Sequence, residues 1–204
     1  MKFSAKFKGL LDFVDFTHEF REVIRVARSP HAERFENDSE HSYQLAMIAW
    51  YLIETDKLKL NRELCLMYAL AHDLVEIYAG DTYVFDKNKK NHDSKKDRER
   101  KALDKIKKRF PKFKKLARII HQYEQKRDEE SKFIYALDKF MPPVQIYQEN
   151  GKLWNEKSIS LDMIMEKKDH KIAVSMAVYK YWKELRKGIE LNRASIFKND
   201  KKIK

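Results

Sequence analysis

The sequence predicts an all-α fold, a compact single-domain helical bundle, on three observations. Its 204 residues are one domain's length, with ample material for a core. Four glycines and four prolines are too little turn chemistry for the many tight corners of an all-β fold. Its apolar residues recur at three- and four-residue intervals, the spacing of one helix face. No repeat, second domain or convincing strand stands out. The domain is expected over residues 1–190, with a lysine-rich tail over 191–204.

Residues 1–28 place Leu10, Leu11, Phe13, Val14, Phe20, Val23, Ile24 and Ala27 near helical spacing. Ser29-Pro30 is the expected stop, because the residue before proline avoids the helical region. Residues 29–38 read as a polar loop. Arg34 in that loop is suited either to grip a phosphate with paired hydrogen bonds or to tie the loop down. Asp38 or Ser39 is expected to cap the next helix, which carries Leu45, Ile48, Ala49, Leu52 and Ile53. His41 falls in its first turn. The connection from Asp56 to Asn61 is short, so the following helix should pack antiparallel and bring its far end toward His41.

That following helix holds the stretch Leu66 to Asp81, around which the chain is organised. Leu66, Met67, Leu70, Ala71, Leu74, Val75 and Tyr78 make it an apolar helix, yet His72, Asp73 and Glu76 lie inside it. A helix turns about 100° per residue, so Asp73 lies beside His72 and Glu76 shares a face with both. Burying these groups is costly unless they are paired or bind a metal. A His-Asp pair alone is weak evidence. His92-Asp93 and Asp169-His170 also occur, in polar surroundings, and read as solvated.

Gly80 should end the central helix, leaving the Asp81 carboxylate at the mouth of any site there. Residues 82–91 read as an exposed loop. Residues 94–120 resume a helical stripe, broken or bent near Pro111. Residues 131–141 form another apolar helix, in which Asp138, between Leu137 and Phe140, asks for a partner. Pro142-Pro143 should bend or end it. Asn150-Gly151 marks a turn, residues 161–187 make one or two last helices, and the end from Lys198 should fray.

Net charge is +12, and residues 87–118 account for all of it, with sixteen Lys/Arg against four Asp/Glu. Such a segment attracts phosphates or nucleic acid, or is a solvated helix face. No aromatic residue interleaves the basic ones before Phe110, which argues against a base-stacking platform. The single cysteine, Cys65, reads as an inert core residue suited to a reducing compartment. The chain shows no membrane-length apolar run and no signal-peptide layout. A cytoplasmic protein is expected.

The order His…His-Asp…Asp, as His41, His72-Asp73 and Asp138, resembles the HD-domain phosphohydrolase superfamily. The blocks R-F-E-N-D-S-E-H-S (34–42), A-H-D-L-V-E-I-Y-A-G-D (71–81), K-K-D-R-E-R-K-A (95–102) and Y-E-Q-K-R-D-E-E-S-K-F-I-Y-A-L-D-K-F (123–140) look like its 5′-deoxynucleotidase subgroup. The resemblance covers about residues 10–150 and implies a helical bundle of the HD-domain type. It implies one divalent metal held by His41, His72, Asp73 and Asp138, catalytic carboxylates at Glu76 and Asp81, a homodimer, and nucleotide substrates. Arg34, Arg28, Asp73, Asp81 and Thr82 are the candidate substrate contacts. The subgroup's Arg-Trp pair has its nearest counterpart in Arg28-Ser29, without the Trp.

Nitrogen and oxygen ligands suit Mn²⁺, Co²⁺, Fe²⁺ or Zn²⁺. The expected reaction is release of the 5′-phosphate from (deoxy)ribonucleoside monophosphates. The rivals are an HD-type deoxynucleoside triphosphate triphosphohydrolase or pyrophosphohydrolase and, from another class, a basic nucleic-acid-binding protein with a vestigial site.

Overall fold

The computed structural model describes residues 2–29, 34–86, 90 and 93–197. Among these the fold is helical, apart from one small hairpin. Helix α1 (Ala5–Arg21) is capped by Ser4, whose side chain accepts from the Phe7 amide. It ends eight residues before the expected stop at Ser29. Val23, Ile24 and Val26 are β-branched and favour extended backbone. Here they pair rather than continue the helix, as β1 (Ile24–Arg28) antiparallel to β2 (Phe35–Asn37). The polar loop expected over 29–38 is therefore partly strand, and residues 30–33 lie outside those described.

Helix α2 (Asp38–Thr55) begins one residue earlier than its predicted caps allow. Asn37 is the cap: its side chain accepts from the Glu40 amide, and the Glu40 carboxylate accepts from the Asn37 amide. This reciprocal pair satisfies two amides that no helix carbonyl can reach. Asn61 caps α3 (Arg62–Ala71) in one direction only, its side chain accepting from the Leu64 amide.

The expected unbroken central helix is not continuous. It stops at Ala71 and resumes as the single turn α4 (Glu76–Ala79). Between them the amides of Leu74 and Glu76 reach back three residues, to Ala71 and Asp73, instead of four. The tightened turns change where His72 and Asp73 point, which regular helical spacing did not anticipate. Gly80 then closes α4 at φ +72°.

The basic stripe forms α5 (Lys95–Arg109) and α6 (Lys114–Gln125), separated at Pro111 as expected. Arg109 pins α5 to α1. It donates to Asp12 at 2.9 Å, Glu19 at 2.8 Å and the Tyr78 hydroxyl at 2.9 Å.

Helix α7 (Glu129–Gln148) continues past Pro142 and Pro143, so the proline pair does not end it. The prolines remove the amides that would bond the Asp138 and Lys139 carbonyls. Burial of Met141, Pro143 and Ile146 holds the helix in place nonetheless. The short α8 (Lys152–Glu156) follows, then α9 (Leu161–Ile172), α10 (Met176–Leu191) and α11 (Arg193–Ile196).

Phe16, Leu45, Cys65, Ile120, Ile134, Leu137 and Trp182 are fully buried, and they join the helices in one core. Burial pushes the Cys65 thiol up to about 12, consistent with an inert residue. Asp169 is not simply solvated. It accepts from the Trp182 indole at 2.9 Å and from Arg186 at 3.1 Å, tying α9 to α10. His170 is exposed, and His92 lies outside the described residues.

The first part of the expected tail, 191–204, packs against the domain. Ile196 and Phe197 are buried, and the Phe197 ring stacks on Trp154 at 5.6 Å. Residues 198–204 lie outside those described. Among the described residues no helix is long and apolar enough to cross a membrane.

Gly151 has φ +72°, and a Cβ there would lie 2.5 Å from the Ile196 carbonyl oxygen and 2.6 Å from its Cγ2. Gly151→Ala should therefore cost about 1–3 kcal/mol, read as a lower urea-unfolding midpoint.

Candidate active site

Four side chains from α2, the break after α3, and α7 meet in the interior. His41 and His72 have ring centroids 5.5 Å apart. His41 Nε2 lies 3.1 Å from Asp138 Oδ1 and 4.0 Å from Asp73 Oδ2. His72 Nε2 lies 2.9 Å from Asp73 Oδ2 and 4.0 Å from Asp138 Oδ1. Donor atoms held by one cation at about 2.0–2.2 Å stand about 3–4 Å from one another. His41, His72 and Asp138 are almost fully buried.

The protonation pattern suits a cation. His72 Nδ1 is 3.0 Å from the Ala69 carbonyl oxygen, which can only accept, so Nδ1 carries the hydrogen. Nε2 then presents a lone pair toward Asp73 and makes no aligned hydrogen bond despite the 2.9 Å approach. Two acceptors that close require a proton or a cation between them. The proton's version of this is visible: burial opposes a charged His72, yet Asp73 raises its pKa. His41 is driven the other way, to about 4, by burial and by Arg25, so it is a neutral imidazole at neutral pH. Its Nδ1 and Glu36 Oε1 are both buried without a hydrogen bond and face each other at 3.7 Å. Such a carboxylate behind the ring orients a metal-bound imidazole.

Negative charge gathers around this point. Burial opposes ionisation of Asp73, but His72 and Arg25 hold its pKa far down. Asp138 is likewise held down, against burial, by Lys139, His41 and His72. Glu76 is 4% exposed, and burial together with Asp73, Asp81 and Asp38 raises its pKa well above the carboxylate range. Asp81 is raised by burial, with Arg25 opposing. Asp38 is pushed up to about 7 by burial and Asp73. Ligand atoms of Asp38, Asp73 and Glu76 lie within 4.8 Å of one another. A divalent cation would offset this repulsion.

Arg25 is the residue that sequence reasoning missed. It donates to Asp38 at 3.0 Å and Asp73 at 2.9 Å, and its Nε lies 3.2 Å from Glu36. It sits in an irregular part of β1: Ile24 pairs with Asn37 and Arg28 with Phe35, so β1 holds two more residues than β2 between those pairs. Bulges of this kind re-aim side chains beside active sites. The signal available was a lone arginine among β-branched residues, hidden by the helical reading of that segment.

The site opens into a cavity of about 850 Å³ that Arg25, Asp81, Thr82 and Tyr83 help to line. In the loop expected to be exposed over 82–91, residues 82–86 are half-buried and Lys90 is exposed, and Thr82 accepts from Arg98 at 2.8 Å. Arg28 and Arg34 do not line it. Arg28 pairs with Glu156 at 3.2 Å, and Arg34 is bound to the Glu40 carboxylate.

Comparison with known proteins gives a consistent picture. A family model described as HD domain matches residues 17–179. The 5′-deoxynucleotidase HDDC2 of Mus musculus is 32% identical over 136 residues, 64% of this chain and 65% of that protein, just under two thirds of its length. That of Homo sapiens is 32% identical over 146 residues, 67% of this chain and 68% of that protein. The crystal structure of a predicted metal-dependent phosphohydrolase from Magnetospirillum magnetotacticum matches with a TM-score of 0.80 at 24% identity. That match covers 92% of this chain and 94% of the other.

Adding Mn²⁺ or Co²⁺ at about a hundred times its dissociation constant should stabilise the metal-free protein by about 2.7 kcal/mol, or about 5–10 °C in Tm. Asp138→Asn should abolish that shift in a thermal melt.

Proposed function

The chain belongs to the HD-domain family, and on that premise we propose that it is a metal-dependent phosphohydrolase releasing the 5′-phosphate of nucleoside monophosphates. The observation that carries the metal is the unbonded 2.9 Å approach of His72 Nε2 to Asp73 Oδ2, with His41 and Asp138 closing the ring around them. The named activity of the curated relatives supports the substrate class.

His41, His72, Asp73 and Asp138 would hold the divalent ion. When bound, it supplies an acidified water and polarises a phosphoryl oxygen. The chain's own residues do the rest. Arg25 is fixed by three carboxylates and presents a planar cation to the cavity, suited to a phosphate's oxygens. It takes the role expected of Arg34 and Arg28. Glu76 Oε2, buried and without a hydrogen-bond partner, is placed to take or return a proton. Asp81 and Thr82, at the cavity wall, orient the sugar or leaving oxygen.

The outer face of α2 supports the homodimer as part of this reading. Tyr43, Met47, Trp50 and Tyr51 fall on one side of the helix and are 44–66% exposed. Two copies of this patch facing each other would bury it. Trp50→Glu should convert a dimeric mass to a monomeric one in light scattering.

The reaction is tested by a panel of nucleotides with several divalent metals, separating phosphate, pyrophosphate and triphosphate by chromatography. Wild type should release phosphate from monophosphates. Asp73→Ala should lose both bound metal and turnover, and Glu76→Gln should keep metal while kcat falls about 10²–10⁴-fold. Full activity in Asp73→Ala would overturn the assignment.

A further inference from the structure

The same cavity has a basic wall that hydrolysis of a single phosphate does not use. Ile164, Lys167, Lys168 and Lys171 lie on one face of α9, three and four residues apart, and all four line the cavity. Lys139 of α7 faces them from the neighbouring helix. Lys167 is paired with Glu166 at 3.0 Å. Lys168 and Lys171 have no ion-pair or hydrogen-bond partner among the described residues.

Lys168 is only 6% exposed. A buried ammonium without a counter-charge is costly, and placing it beside other ammonium groups raises the cost. Its main electrostatic neighbours include Lys139, Lys171 and Arg25, with Asp138 the one carboxylate among them. Lys171 feels Lys139, Lys95 and Lys167, again with Asp138 as the one carboxylate. Burial and these like charges hold Lys168 down to about 7. An anion bound beside them would remove the conflict, since among the described residues no carboxylate forms an ion pair with Lys168 or Lys171 and Asp138 acts on them only from farther off. The wall is distinct from the four candidate metal ligands, yet near enough to feel Asp138.

Resting on the phosphohydrolase reading, we propose that Lys168 and Lys171, facing Lys139, form a second phosphate subsite, so the preferred ligand is a nucleotide carrying two phosphate groups. The second group sits either on the 5′ chain, as in a diphosphate, or on the 3′ oxygen. The cavity's volume, about 850 Å³, is at the upper end for small-molecule sites, which suits a ligand longer than a monophosphate.

The test is calorimetric titration of the Mn²⁺-loaded Glu76→Gln protein, in which turnover is slowed, at fixed ionic strength with three probes: deoxyadenosine 5′-monophosphate, its 5′-diphosphate, and its 3′,5′-bisphosphate. At least one doubly phosphorylated probe should bind about tenfold or more tighter than the monophosphate. Which probe gains identifies the position of the second phosphate. The Lys168→Met/Lys171→Met double variant should erase that gain, whereas Lys187→Met, on the exposed side of α10, should keep it. A thermal melt confirms folding, and Lys171→Gln alone, at a half-buried position, serves if the double variant is unfolded.

The proposal is overturned if neither probe gains over the monophosphate, or if the gain survives the variants. The two readings separate cleanly. Monophosphate turnover without a gain removes the subsite and leaves the reaction. A lysine-dependent gain without turnover of any nucleotide removes the reaction and leaves the subsite.

Discussion

The structure is organised by a repulsion. Asp38, Asp73, Glu76, Asp81 and Asp138 converge on a small buried volume, and the ordinary remedies there are incomplete. Arg25 contacts Asp38 and Asp73, and Lys139 contacts Asp138. Even so, Glu76 and Asp38 are driven toward their protonated forms. A domain spends little of its stability on such an arrangement unless a ligand relieves it, because buried charge without compensation costs several kcal/mol. The helices that bring these groups together are otherwise conventional, joined by one apolar core. What distinguishes the interior is where the regular pattern fails.

It fails in three places, and each failure touches the site. The central helix tightens after Ala71, which turns His72 and Asp73 toward a common point. Helix α7 carries prolines four residues after Asp138 and Lys139, so those two carbonyls have no helical amide to bond. The first strand holds two surplus residues opposite the second, and Arg25 is among them. Local strain and irregular backbone collect at functional sites because the surrounding packing over-determines them.

These irregularities also explain what the sequence could and could not disclose. The helix stripes were legible because burial on one face leaves a 3.6-residue period that needs no partner to be read. His72, Asp73 and Asp138 stood out because their residue types are costly inside apolar helices, whereas joining them with His41 as one set rested on the resemblance to the HD-domain superfamily. Arg25 was not, because Val23, Ile24 and Ala27 fit a helical stripe as well as a strand, and only pairing with Phe35–Asn37 decides between them. Arg34 was an attractive phosphate candidate by type, but Glu40, required for the cap of α2, takes its guanidinium. Lys168 gave no signal at all. In a chain with 44 basic residues, an ammonium folded inward is indistinguishable until its exposure is known.

The surplus in the first strand has a consequence for how this pocket can change. Residue identity at Val26 or Ala27 governs how tightly the hairpin packs, but the direction of the guanidinium depends on how many residues separate Ile24 from Arg28. Point substitution alters the first property and leaves the second untouched. Only a deletion or insertion resets it, and the adjacent side chains would then exchange faces. The count of residues between Ile24 and Arg28 is therefore as much a determinant of this pocket as the identity of Arg25 itself.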